Sequence, residues 1–122
     1  MRIAFDVKGT LDGHMGPRVR ILFLMLEDLG HEMFVWSNSF SYAVEAIEKH
    51  GLKATPLDKF SSFDAHNEGK QLMDLCVEDD RMQDYLGARG ILFVDELGDS
   101  DDDNMELLTK KLTLWKTSTE EH

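Results

Sequence analysis

The stretch Arg2-Ile3-Ala4-Phe5-Asp6-Val7-Lys8-Gly9-Thr10-Leu11 decides how the rest of this chain is read. Arg2 to Phe5 is a brief apolar run that stops at an acid, the pattern of a buried strand that delivers a carboxylate at its end. Gly9, Gly13 and Gly16 then break up a polar loop. Pro17 suits the first position of a helix, where a missing N–H costs nothing. Strand, glycine loop and helix together open an α/β domain.

Working outward, Val19, Leu22, Met25, Leu26 and Leu29 recur at helical spacing, with Gly30 as the stop. Met33 to Trp36 reads as a second strand ending at Ser37 and Asn38. Phe40, Ala43, Val44 and Ile47 form a second helical stripe closed by Gly51. A third strand is expected around Lys53 to Leu57, at a sheet edge because Pro56 removes a donor. Leu72 to Val77 and Ile91 to Val94 read as strands four and five, with a short helix over Met82 to Ala88 between them. Gly98 to Asn104 reads as an acidic loop. Met105, Leu108, Leu112 and Trp115 then mark the inner face of a last helix, before a polar tail from about residue 117.

Strands alternating with amphipathic helices imply parallel strands joined by right-handed crossovers. The expectation is one Rossmann-like α/β domain over residues 1–122, with a five-stranded, mostly parallel sheet flanked by helices. The 42% hydrophobic content supports a sizeable core. No apolar run approaches the roughly 18–20 residues of a membrane span, and the N-terminus lacks the pattern of a signal peptide. Cys76 is the only cysteine, so no internal disulfide forms and a cytoplasmic location is expected. Acids outnumber bases 24 to 13, for a formal charge of −11, which argues against general nucleic-acid binding.

Ligands of open parallel sheets bind beyond the carboxyl ends of the strands. Those ends carry Asp6, then Ser37 and Asn38, then Asp58 and Lys59, then Glu78 and Asp79, then Asp95 and Glu96. Each alone has a plainer reading. Ser37 and Asn38 suit a helix cap, Glu78 and Asp79 suit a helix start, Lys59 suits the surface, and Asp95-Glu96 suits a turn. Their order along the chain is what makes the combination specific.

In that order the residues resemble the haloacid dehalogenase superfamily. Asp6-Val7-Lys8-Gly9-Thr10-Leu11 resembles its first motif, Asp-x-Asp-Gly-Thr-Leu. Ser37 after Phe34-Val35-Trp36 resembles the second. Lys59, or else Lys70, stands for the third-motif lysine, and Asp74 to Asp79 resembles the fourth. The resemblance implies a phosphohydrolase or phosphotransferase in which Asp6 forms an aspartyl-phosphate. Magnesium would be held by Asp6, the backbone carbonyl of Lys8, Glu78 and Asp79. The phosphate would be held by Gly9, Thr10, Ser37, Asn38 and Lys59, with Asp6, Lys8 and Lys59 at catalytic positions.

One position departs from the family. Lys8 replaces the second aspartate, which protonates the leaving group and activates water, help worth roughly 10²–10⁴-fold. Lysine, with a reference pKa of about 10.4, is a poor proton donor at neutral pH. Lys8 is expected instead to pair with Asp6 and Glu78 in place of some metal charge. The loops after strands one and three are too short for a cap domain, so a phosphorylated small molecule or macromolecule would meet an open site, closed by a protein partner or a second copy. Two other readings stay open: a pseudoenzyme that binds a phosphorylated ligand or a protein partner, and a structural domain.

Overall fold

Ile3, Ala4 and Phe5 are fully buried in β1 (Arg2–Asp6), the middle strand of the sheet. A parallel sheet covered on both faces selects continuous apolar runs over alternation. The computed structural model describes residues 1–59, 73–79 and 88–120. After β1 come α1 (Gly16–Asp28), β2 (Glu32–Ser37), α2 (Phe40–His50) and β3 (Thr55–Asp58). β4 (Met73–Glu78), β5 (Ala88–Phe93) and α3 (Asp101–Glu120) follow. The sheet order is β3-β2-β1-β4-β5 and every pairing is parallel, so the expected mostly parallel sheet is wholly so. β3, with Pro56, lies at one edge.

The order reverses beside β1. The chain steps outward from β1 through β2 to β3, then returns to place β4 on the other side of β1. The carboxyl ends of β1 and β4 therefore flank the topological switch point, where crossovers leave in opposite directions and open a crevice.

Side chains alternate across a strand, so Ile3 and Phe5 face one layer and Ala4 the other. On the first face Ile3, Phe5, Val35, Leu75 and Val77 pack with Val19, Leu22, Phe23 and Leu26 of α1, Ala43 and Ala46 of α2, and Leu108 of α3. The second face carries Ala4, Phe34, Trp36, Met73 and Cys76, all buried. No cap domain occurs among the described residues, and only residues 7–15 separate β1 from α1.

Several details differ from the sequence reading. Phe23 is buried while Leu29 is 64% exposed, because Leu29 lies past the last turn of α1. Ala46 is buried while Phe40, the first residue of α2, is 53% exposed. Ala88 opens β5 and is not helical. The acidic stretch is only partly a loop, since α3 starts at Asp101. Ser100 accepts the Asp103 N–H through its hydroxyl and the Asn104 N–H through its carbonyl, which caps the helix. Asp101, Asp102 and Asp103 then sit at the positive end of the helix dipole. The α3 backbone stays helical to Glu120, into the expected polar tail. Lys70, Leu72, the expected helix over 82–87, and the side chains of Leu112 and Trp115 lie outside the described residues.

Candidate active site

The alternation that sorts the core also aims the polar residues. Asp6 follows Ala4, Trp36 follows Phe34 and Glu78 follows Cys76, each two residues beyond a side chain of the second face. Parallel register aligns them, with Asp6 opposite Trp36, and Phe5 opposite Val77 one step before Glu78. Three polar side chains therefore reach the same side of the same sheet end. Lys59, immediately after β3, joins them.

Lys59 is the hub. Its ammonium lies 2.8 Å from Asp6 Oδ1 and 3.1 Å from Glu78 Oε2, and its residue is 3% exposed. The Trp36 indole Nε1–H donates to Glu78 Oε1 at 2.9 Å, and the Thr10 hydroxyl donates to Asp6 Oδ2 at 3.2 Å. Each oxygen of the two buried carboxylates thus has a donor. Carboxylate oxygens of Asp6, Glu78 and Asp79 also lie within 4.8 Å of one another.

Burial sets the electrostatics. It pushes Asp6 up from its ordinary 3.8 to about 6, against the pull of Lys59 and with a further push from Asp79. It pushes Glu78 up from 4.5 to about 8, reinforced by Asp6 and opposed by Lys59 and Trp36. Burial acts downward on Lys59, but the charges of Glu78 and Asp6 outweigh it and raise its pKa. Two buried carboxylates facing one ammonium therefore resist being ionised together, and Asp79 adds to that repulsion at Asp6.

The Val7–Leu11 turn closes over the site, with Gly9 at φ 79°. A methyl group on Gly9 would overlap the Asp79 carboxylate, so glycine is needed there both for the left-handed backbone and for the close approach. Above the cluster opens a cavity of about 370 Å³, lined by Asp6, Lys8, Ser37, Asn38, Tyr42, Lys59 and Asp79. Ser37 is buried, and its oxygen accepts the Ser39 N–H at 3.4 Å without capping α2.

Asp6, Ser37, Lys59, Glu78 and Asp79 come together as the strand ends imply. Lys8 does not pair with Asp6 and Glu78, because Lys59 occupies that position. The Lys8 side chain is exposed and forms no ion pair among the described residues. Thr10 is fully buried, and its hydroxyl is engaged with Asp6. Glu96 is engaged outside the site. It accepts the Phe93 N–H and pairs with Lys111 at 2.7 Å. Trp36 and Tyr42 were not singled out from the sequence. A buried indole demands an acceptor, and that was the available signal for Trp36. Compared with known proteins, the chain matches no family model, no curated protein and no solved structure.

Proposed function

We propose that this protein is a metal-dependent phosphohydrolase or phosphotransferase of the haloacid dehalogenase type, working through an aspartyl-phosphate on Asp6. The observation that carries this reading is the Asp6 carboxylate, held between Thr10 and Lys59 beneath an open cavity at the switch point of the sheet. In the first step an Asp6 oxygen attacks phosphorus and forms an O–P bond. The bond from phosphorus to the leaving oxygen breaks, and that oxygen takes a proton from solvent. Water or an acceptor hydroxyl then attacks phosphorus, the Asp6 O–P bond breaks, and the carboxylate is restored.

Lys59 and Thr10 fix the orientation of Asp6, and Lys59 offsets charge on the attacked phosphoryl group. Ser37 and the backbone N–H groups of the Val7–Leu11 turn would hold phosphoryl oxygens. The donor set fits a divalent hard cation, since its ligands are oxygens and a bound cation would favour the ionised form of two acids that burial holds above the ordinary carboxylate range. Asp6, Asp79 and the Lys8 backbone carbonyl would hold magnesium. Glu78, with both oxygens hydrogen-bonded to Trp36 and Lys59, serves chiefly to orient Lys59. Bound magnesium neutralises phosphoryl oxygens so that a carboxylate can approach them. The open cavity suits a phosphorylated group carried by a small molecule or a macromolecule, or closure by a partner subunit, and the single buried thiol of Cys76 suits the reducing cytoplasm.

Hydrolysis of para-nitrophenyl phosphate with magnesium tests the reading. The wild-type chain is expected to turn over and Asp6→Asn to be inactive. Equal rates in the two proteins would overturn it. The lysine in the acid position favours one alternative, a pseudoenzyme that binds phosphorylated ligands. Vanadate binding by wild type without any turnover would select that alternative.

A further inference from the structure

A second cavity, of about 390 Å³, lies beside the first, between the Val7–Leu11 turn and α2. Lys8 and Tyr42 line both cavities and form the boundary between them. Val7 and Ala46 supply apolar wall in the second cavity, and Asp12, Glu45 and Lys49 supply its charges. Asp12 and Lys49 largely cancel, since their side chains lie 3.4 Å apart and His50 lies 2.7 Å from Asp12. Glu45 lines the far cavity and not the near one. Lys8 is then the cation at the boundary with no ion pair among the described residues. Lys59, the other cation of the near cavity, is committed to Asp6 and Glu78.

We propose that Lys8 is a specificity-determining residue that selects a phosphorylated organic anion, a phosphomonoester whose leaving group carries a second negative charge close to the phosphate. The proposal rests on the reading of Asp6 and its surroundings as the phosphate site. With the phosphoryl group over Asp6, the leaving group points to the boundary, where the Lys8 ammonium meets its anionic substituent and the Tyr42 ring covers its carbon skeleton. An acid at this position would repel such a substituent. Glu45 sets the limit on length, because an anion placed deeper in the second cavity would meet that carboxylate. Short spacers of roughly one or two carbons between phosphate and carboxylate match the reach of a lysine side chain from the boundary.

Calorimetry with non-hydrolysable phosphonates tests this without any need for turnover. The matched pairs are phosphonoacetate against ethylphosphonate, and 3-phosphonopropionate against propylphosphonate, with magnesium present. Wild type is expected to bind the carboxylated member of each pair at least about fivefold more tightly, the effect of one partly exposed charge pair. Lys8→Met, an exposed substitution, should bring that ratio close to one, and Lys8→Arg should restore it. Equal binding of each pair by wild type overturns the proposal. So does a preference that survives in Lys8→Met, which would belong to chelation by the metal. If no phosphonate binds wild type, the proposal fails whatever the hydrolysis assay gives. Absent hydrolysis alongside a Lys8-dependent preference would sink the catalytic reading and leave this one standing.

Discussion

Lys59 stabilises and also positions. Its ammonium is the buried counter-charge to Asp6 and Glu78, so removing it strands two carboxylates in a poorly solvated sheet end. Lys59→Met is expected to cost about 3–5 kcal/mol in urea denaturation at mildly alkaline pH without metal. A loss below about 1 kcal/mol would mean that the acids are better solvated than this geometry allows. Lys8 behaves differently because it is exposed and unpaired among the described residues. Lys8→Asp would place an acid at the leaving-group side of the cavity. Alkyl phosphate hydrolysis is expected to rise toward the roughly 10²–10⁴-fold contribution of a positioned general acid. Aryl phosphates, whose leaving groups need little protonation, should gain least. The informative comparison is Lys8→Asp against the double variant with Asp6→Asn, which should lose the gain entirely.

At the level of elements, the Val7–Leu11 turn is tied to the end of α2 through Asp12. His50 lies 2.7 Å and Lys49 3.4 Å from the Asp12 carboxylate. Burial opposes ionisation of Asp12, but these partners outweigh it and lower its pKa below the ordinary 3.8. A lowered folded pKa means that the stabilisation is complete above the unfolded value and is lost as pH falls through the folded one. Asp12→Asn should therefore cost up to about 1 kcal/mol near neutral pH, a modest figure because the group is largely solvated. The gap between the two proteins should begin to narrow as pH falls below the ordinary 3.8 and close once Asp12 is protonated in the folded protein. A gap that does not change with pH through the acid range would show that the contribution of Asp12 is not ionic.

Across the whole molecule, one apolar layer carries all three described helices. Phe5 of β1 and Phe23 of α1 meet at its centre, edge to face, with ring centroids 5.1 Å apart. Both are fully buried, so Phe23→Ala removes a large side chain from a site with little room to collapse. The expected cost is about 3–5 kcal/mol, a large share of the 5–15 kcal/mol typical of a domain. Urea unfolding should show a lower midpoint at an unchanged slope. A midpoint close to wild type would place the weight of the fold elsewhere.

The alternation of short apolar runs with helical stripes determined the α/β class, the strand count and the strand-end positions of Asp6, Ser37, Lys59 and Glu78. Those features depend on local periodicity and on glycine and proline, which act within a few residues. Leu29 and Phe40 misled because an apolar residue at the right spacing is buried only if its turn overlies the sheet, and both sit at helix ends. The acidic stretch before α3 misled because acids are common both in loops and at helix starts. The family resemblance gives Lys59 the role of balancing charge on Asp6, the local sequence also offers Lys8, and only the tertiary structure decided between them. Lys8 and Lys59 are equally lysine in the sequence, and Lys8 is far nearer to Asp6 along the chain. Sheet order and parallel register bring Lys59 from beyond β3 to within 2.8 Å of Asp6, while the left-handed turn at Gly9 leaves Lys8 facing solvent. Charge pairing depends on distance through space, and sequence separation does not report it.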